Sequence, residues 1–303
     1  MVPLARADAG ILLVLISAIS FGFMPIFARL AYIEGVGVDE LLFVRFLLAF
    51  TIMGVLLAAS RRMILPRRGD LLALIVLGAL AYFLQSTLYF TALLYSPVAI
   101  VALLLYTYPV FVTIGASTLG WEKISGTLAG ACVVAVVGLL LVANPFGNLI
   151  GFGVILALGS SITYTIYILS GSKLLRRVSG DVAAFCVMGA ASVSFGLTGE
   201  LTNTLHMNWS LMGWFWVLMI IVVCTVIAIT TFFMGLSKIG PSRAALISLI
   251  EPATAIFVSL VLFGNSLSAL QWFGGLLILA ATAIIALWPS PGPRAAAGDS
   301  RQL

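Results

Sequence analysis

The sequence predicts an all-α membrane protein of ten transmembrane helices, built as two inverted repeats of five helices with both termini in the cytoplasm. Three observations support this fold class: the composition, the spacing of apolar segments and the distribution of positive charge. Of the 303 residues, 62% are hydrophobic and 8% are charged, whereas an ordinary soluble domain has about 25% charged residues. The net charge of +5 follows from membrane topology, as shown below, and does not indicate a nucleic-acid partner.

Apolar segments follow one another along the chain with short connections between them. A helix rises about 1.5 Å per residue and the hydrocarbon core is about 30 Å thick, so roughly 20 residues cross it. Short connections make neighbouring helices antiparallel and leave no room for a soluble domain. We number the predicted helices 1 to 10: residues 9–31, 39–60, 70–95, 98–119, 123–143, 150–172, 182–200, 211–236, 241–263 and 268–288. The first is too long for the core of a signal peptide and is expected to be retained.

Positive charge predicts the orientation. With the N-terminus in the cytoplasm, all but two of the 15 Lys and Arg residues fall at cytoplasmic helix ends or tails. The exceptions are Arg29, near the outer side, and Arg45, within predicted helix 2. We expect Arg45 to reach by snorkelling toward Asp39 or Glu40 in the outer connection, which leaves no lysine or arginine deep in the central helices. Residues 289–303, rich in proline and small residues, are predicted to form a disordered cytoplasmic tail.

The two halves of the chain resemble each other. Residues 10–17 align with 153–160, Tyr108-Pro109 with Glu251-Pro252, and Ile124-Ser125 with Leu267-Ser268. Because each half has five predicted helices, the second copy enters the membrane from the opposite side. Residues 1–145 and 146–288 are therefore predicted to be inverted repeats, with a substrate site near the bilayer midplane between them.

Glu251 lies near the middle of predicted helix 9. A carboxyl group at that depth is costly, so it should face the protein interior or a wet cavity. Pro252 frees a backbone carbonyl one turn earlier and kinks the helix. Pro25 and Pro109 are the other predicted hinges. The alternative is that Glu251 is protonated and serves only helix packing.

Polar and aromatic residues form stripes on several predicted helices. Tyr82, Gln85, Ser86 and Tyr89 follow the spacing i, i+3, i+4, i+7 on one face of helix 3, which must point inward in lipid. Such stripes line a cavity or form hydrogen bonds between helices. The other candidate substrate-binding residues are Ser17, Phe21 and Met24 of helix 1, Tyr108 of helix 4, Ser160, Thr163, Tyr164 and Tyr167 of helix 6, and Ser248 and Glu251 of helix 9. Rings, hydroxyls and one acid favour a small amphipathic solute over a phosphate.

The sequence lacks the residue clusters that enzymes usually use for catalysis. The chain has one histidine, His206, in an outer connection, and its three cysteines lie within apolar segments without metal-ligand spacing. We therefore predict no enzyme activity, no metal site and no cofactor. A channel would need a filter-like ring of polar residues, which the sequence does not contain.

Short motifs in a fixed order carry a family resemblance over nearly the whole chain. They are Phe21-Gly22, Phe43-Val44-Arg45-Phe46, Ser96-Pro97-Val98-Ala99, Pro109, Gly120-Trp121-Glu122-Lys123 and Glu251-Pro252. The chain resembles the drug/metabolite transporter superfamily, in particular its ten-helix EamA-type members, and among these it is most similar to YddG-type aromatic amino-acid exporters. Two positions depart from the pattern: Asn265 replaces the second acidic partner, and Met188 stands where Arg45 would be repeated.

The resemblance implies an inner-membrane transporter that exports amino acids, including aromatic ones, by alternating access. Its implied partners are the amino-acid substrate and the lipid bilayer, with no nucleic acid, and it is expected to work as a monomer. A multidrug or nucleoside-like metabolite exporter is the alternative. Proton-coupled and facilitative transport both remain open, since Glu251 is the one acid in the middle of an apolar segment.

Overall fold

The computed structural model describes residues 2–61, 66–120, 126–143, 151–174, 177–239, 247–248, 250–264 and 267–287. All regular secondary structure among these residues is helical, and short non-helical connections join the helices. The helices, several of them interrupted, are α1 (Val2–Gly22 and Met24–Ile33), α2 (Val38–Ala59), α3 (Arg68–Val76, Leu77–Tyr82 and Phe83–Tyr95), α4 (Val98–Leu105 and Tyr108–Thr118), α5 (Gly126–Ala143), α6 (Phe152–Leu174), α7 (Gly180–Leu201), α8 (Leu211–Ile221, Val222–Ile227 and Ala228–Ile239), α9 (Ile250–Phe263) and α10 (Ala269–Leu287). The tail predicted at residues 289–303 lies outside the described residues.

Six helices among the described residues are long and apolar enough to cross a membrane: α1, α2, α3, α4, α6 and α7. Shorter apolar stretches lie in α5, α8, α9 and α10. Large apolar side chains on the outer surface remain exposed, for example Leu12 at 59%, Val133 at 64% and Phe257 at 67%, as expected of a surface that faces lipid. The predicted all-α membrane fold is confirmed, whereas the crossing of all ten helices stays a prediction.

Two helices are interrupted just before a proline. α1 breaks at Phe23 and resumes with Pro25 in its first turn, and α4 breaks at Tyr106 and Thr107 and resumes with Pro109 in its first turn. Proline is tolerated in a first turn because its missing N–H has no partner there in any case. The interruptions therefore lie where the sequence predicts hinges, although motion about them is untested.

α3 and α8 each contain one π-helical turn, at Leu77–Tyr82 and Val222–Ile227. No proline or glycine pattern in the sequence predicts these turns. They occupy equivalent positions in the two halves of the chain, and π-turns inside α-helices are frequent at functional sites.

α2 and α7 pack antiparallel through phenylalanines that fill the space above glycines. A Cβ added at Gly196 would lie 2.9 Å from the ring of Phe43, one at Gly189 would lie 2.8 Å from Phe50, and one at Gly54 would lie 3.0 Å from Phe185. Residues later in α2 contact residues earlier in α7, so the two helices run in opposite directions.

α5 and α10 also pack antiparallel, at a glycine pair. A Cβ added at Gly138 would lie 2.6 Å from the carbonyl oxygen of Gly274. Small residues predict close helix approach at Gly274-Gly275, which is confirmed, and at the spacing of Gly126 and Gly130 in α5, where an added Cβ would have no neighbour within 4 Å. The second prediction is wrong because both glycines lie on an exposed face of α5.

Further extensive helix contacts join α1 to α8, α3 to α6, α3 to α7, α4 to α6, α1 to α9 and α4 to α9. Three pairs of contacting helices are equivalent under the repeat prediction: α2 with α7, α4 with α9, and α5 with α10. Under the same prediction α1 corresponds to α6 and α8 to α3, so the α1–α8 contact corresponds to the α6–α3 contact. The predicted inverted repeats would give this pattern. The repeat boundaries themselves stay a prediction.

Acidic residues close one end of the helix bundle. Glu40 accepts four hydrogen bonds: from the backbone N–H of Gly37 at 3.0 Å, His206 at 2.8 Å and Met207 at 2.7 Å, and from Trp209 Nε1 at 2.7 Å. Glu34 accepts from the Ser210 hydroxyl, and Asp39 from that of Thr204. These contacts fasten the α1–α2 connection to the α7–α8 connection, and we call them the acidic clasp.

Candidate functional site

α1 contacts α9 at the first turn of α9, which contains Glu251. A Cβ added at Gly22 would lie 2.7 Å from the backbone carbonyl oxygen of Glu251 and 2.7 Å from Thr254 Cβ. Only a glycine allows this approach, which sets α1 directly against the first turn of α9.

The Glu251 side chain is partly buried and accepts a hydrogen bond from the Tyr106 hydroxyl. Tyr106 lies at the interruption of α4, so the break in that helix brings a phenol group to the acid. The hydroxyl groups of Tyr89, Tyr108 and Tyr164 also interact electrostatically with Glu251. The acid is thus surrounded by tyrosines from three helices.

These tyrosines continue into a row of aromatic rings. The ring centroids of Tyr108 and Tyr164 are 4.8 Å apart, those of Tyr164 and Tyr167 are 5.9 Å apart, and those of Tyr167 and Tyr82 are 5.0 Å apart. Separations of this size are typical of favourable aromatic pairs. Tyr82, Tyr108, Tyr164 and Tyr167 all remain partly exposed, and we call them the tyrosine row.

Other predicted site residues are used in contacts between helices. The Gln85 side-chain amide donates to Ser160 Oγ at 3.2 Å, and Ser160 donates to the Gln85 carbonyl at 3.1 Å. Ser86 donates to Gln85 Oε1, and Ser17 donates to the Ala228 carbonyl at 2.7 Å. Gln85, Ser86, Ser160 and Ser17 are all buried. Their polar groups therefore join α3 to α6 and α1 to α8.

The remaining predicted residues have the following surroundings. Thr163 donates to the carbonyls of its own helix, Gly159 and Ser160. Tyr89 is buried against Phe90. Phe21, Met24 and Ser248 are partly buried, while Pro25 and Pro252 are buried.

Arg45 is the functional candidate that the sequence prediction missed. Its side chain is only 5% exposed, and Nε donates to Thr225 Oγ1 at 3.5 Å. The guanidinium carbon lies 5.1 Å from the ring centroid of Phe46 and 5.4 Å from that of Phe90. Snorkelling toward Asp39 or Glu40 is therefore wrong, because both acids are engaged in the acidic clasp. The expectation of no arginine among the central helices is also wrong, because the Arg45 guanidinium is buried against Phe90 of α3 and Thr225 of α8.

An apolar opening lies next to Arg45, between α2, α7 and α8. Its lining residues are Ala49, Ile52, Met53, Leu56, Met188, Thr225, Val226 and Ile229. The lining residues of α2 come after Arg45 in the sequence, toward Ser60, whereas Glu40 of the acidic clasp comes before Arg45. The opening thus approaches Arg45 from the end of the bundle opposite the acidic clasp, and we call it the α2–α8 opening.

Comparisons with known proteins agree with this fold. A crystal structure of another protein covers 93% of this chain and 97% of its own, with a TM-score of 0.61 at 17% identity. An uncharacterized transporter of Archaeoglobus fulgidus is 30% identical over 278 residues, 89% of this chain and 94% of the relative. The uncharacterized transporter YcbK of Bacillus subtilis is 29% identical over 285 residues, 89% of this chain and 90% of its own.

The EamA-like transporter family matches twice, at residues 8–144 and 151–287. The two matches together span most of the chain, including the apolar helices, the acidic clasp and Glu251. The protein is accordingly a multi-pass membrane transporter, and it belongs to the EamA-like transporter family.

Proposed function

We propose that this protein exports amino acids, including aromatic ones, across the inner membrane through a central chamber between two inverted five-helix repeats. The observation that carries the proposal is the placement of one partly buried acid, Glu251, beside the partly exposed tyrosine row. In this proposal both termini are cytoplasmic and the monomer is the working unit.

The chemistry around Glu251 supports an amino-acid substrate. A carboxylate binds an ammonium group through charge-assisted hydrogen bonds. The faces of Tyr108, Tyr164 and Tyr167 offer contact area for an apolar or aromatic side chain, and their negative ring faces also attract cations. A site with mostly aromatic walls and a few fixed polar groups is typical of small-molecule binding.

The packing of the helices supports alternating access. The equivalent helices α2 and α7 run antiparallel, as do α5 and α10, which is the relation expected of inverted repeats. The acidic clasp closes one end of the bundle, and the α2–α8 opening lies toward the other. Because Arg61, Arg67 and Arg68 flank the end with the opening, the positive-inside rule assigns that end to the cytoplasm.

Reconstitution tests the proposal. The purified chain is inserted into liposomes, and uptake of labelled amino acids, nucleosides and cationic dyes is measured with and without a pH gradient. We expect saturable uptake of L-phenylalanine that unlabelled amino acids compete away. Uptake of nucleosides or dyes alone would overturn the amino-acid assignment in favour of a multidrug or nucleoside-like metabolite exporter.

The same vesicles separate the two modes of energy coupling. Uptake without a gradient is expected of a facilitative transporter. If uptake requires a pH gradient and Glu251→Gln removes that requirement, Glu251 carries the coupled proton.

A further inference from the structure

We propose that Arg45 binds the carboxylate of the transported amino acid while Glu251, which shares the neighbours Tyr89 and Cys224 with Arg45, binds its ammonium group. This inference rests on the proposed amino-acid substrate. It adds a second charged residue, from a helix that contributed no predicted site residue, and it assigns the ligand class as zwitterions rather than amines.

Arg45 is a buried cation with no salt-bridge partner among the residues that the structure describes. Within the described residues, its guanidinium makes a single hydrogen bond, the long one from Nε to Thr225, and forms no salt bridge. Arginine has five N–H donors in a planar fork that matches a carboxylate. The two terminal nitrogens, which carry four of these donors, thus remain available to a ligand.

The acids near Arg45 in sequence form no salt bridge with it and bind other donors. Glu40 already accepts four hydrogen bonds, Asp39 accepts one from Thr204, and Glu34 accepts one from Ser210. Burying a charge without a partner is costly, and charged residues inside membrane proteins mark binding sites and pathways. Retention of Arg45 at 5% exposure is therefore explained by an anion that arrives with the substrate.

Arg45 and Glu251 share two neighbours, Tyr89 and Cys224. Tyr89 interacts electrostatically with both charges, and so does Cys224. Yet the two charges lie beyond the distance of a direct salt bridge. A cation and an anion held apart in one interior can be bridged by a zwitterion, whose carboxylate faces the arginine and whose ammonium group faces the glutamate.

The α2–α8 opening lies beside the hydrogen-bond partner of Arg45. The α2–α8 opening is lined by apolar side chains and reaches Thr225, the residue that accepts the hydrogen bond from Arg45. An amino acid with an apolar side chain matches this lining. The aromatic neighbours Phe46 and Phe90 orient the guanidinium through cation–π contacts and leave its terminal nitrogens free.

The test compares L-phenylalanine with L-phenylalaninamide, which has the same ring and amine but no carboxylate. The apparent affinity is the concentration of unlabelled compound that halves uptake of labelled L-phenylalanine into liposomes. In the wild-type protein, we expect the amide to bind about tenfold or more weakly, the size typical of a charged hydrogen bond. Equal competition by the two compounds would overturn the role of Arg45.

The variant Arg45→Gln removes the charge and keeps most of the side-chain length. We expect it to lose affinity for L-phenylalanine by about tenfold or more while its affinity for the amide stays the same, so that the preference disappears. Arg45→Lys keeps the charge without the fork and should retain part of the preference. Arg29→Gln is the matched control, since Arg29 donates to the Leu93 carbonyl outside the site, and it should keep the full preference.

A second readout does not depend on turnover. The melting temperature of purified protein in detergent is measured with each compound, and L-phenylalanine should raise it in the wild type but not in Arg45→Gln. If the variant does not fold, the wild-type preference between acid and amide decides the question. Wild-type protein that moves no amino acid at all would refute the proposed function, whereas transport without a carboxylate preference would refute this inference alone.

Discussion

At the scale of single residues, Glu251 is held by what surrounds it. Gly22 allows α1 to contact the backbone of Glu251, and the interruption of α4 lets Tyr106 donate a hydrogen bond to its carboxylate. The first arrangement positions the backbone of Glu251, and the second orients its carboxylate before any ligand binds. Preorganisation of this kind lowers the entropic cost of binding.

We predict that Glu251→Gln reduces transport of L-phenylalanine about tenfold or more while the protein remains folded. The neutral amide loses the charge-assisted contact to an ammonium group, yet its oxygen can still accept the hydrogen bond from Tyr106. Uptake into liposomes measures the effect, and the melting temperature tests the fold. Glu200→Gln, at the exposed end of α7, is the control, and equal uptake in both variants would contradict a substrate role for Glu251.

The single-residue signals of the sequence were informative only for some of these residues. An acid in the middle of an apolar segment predicts that Glu251 faces the protein interior or a wet cavity, whichever residues surround it. Arg45 lies only five residues after Glu40, so its place near a helix start favoured snorkelling. Its burial depends on Thr225 and Phe90, which come from other helices, and no local pattern predicts those contacts.

At the scale of elements, apolar length predicts helices well and packing faces poorly. Predicted helix 7, residues 182–200, corresponds to Gly180–Leu201, because lipid selects long apolar stretches. The spacing of Gly126 and Gly130 in α5 fits a close contact equally well, but a spacing does not specify which face meets another helix. The π-turns of α3 and α8 are likewise set by tertiary contacts.

We predict that Gly138→Ala destabilises the protein by about 1–3 kcal/mol, the usual cost of overpacking. The added methyl group would lie 2.6 Å from the Gly274 carbonyl oxygen, so α5 and α10 must separate. Gly130→Ala lies in the same helix with no neighbour within 4 Å and should be neutral or slightly stabilising. Thermal unfolding in detergent compares the two, and a similar melting temperature would show that the glycine contact contributes nothing.

At the scale of the whole molecule, the acidic clasp ties the two halves together at one end. Residues of the first half supply the acids, and residues 204–210 of the second half supply all the donors except the Gly37 N–H. An exporter that alternates access must break these contacts each time this end opens. The strength of the clasp therefore sets how often the proposed chamber faces outward.

We predict that Glu40→Gln increases exposure of the interior to the clasp side. A hydrogen bond to a charged group contributes about 1.5–3 kcal/mol, so replacing a carboxylate that accepts three of them from the other half should shift the population toward the open state. Cys224 reports this shift, since it is fully buried and interacts electrostatically with both Arg45 and Glu251. A membrane-impermeant maleimide, added from the clasp side to protein lacking Cys132 and Cys186, should label Cys224 about tenfold faster in the variant.

Asp181→Asn is the matched control for this experiment. Asp181 accepts a hydrogen bond from the Val182 N–H, at the start of α7 and far along that helix from the clasp. In this variant, Cys224 should be labelled at the same rate as in the otherwise unchanged protein that lacks Cys132 and Cys186. The change removes a carboxylate without loosening the contact between the halves. The same rate in Glu40→Gln as well would mean that the clasp stabilises the connections but does not control access, and the outward opening would have to be limited by helix packing instead.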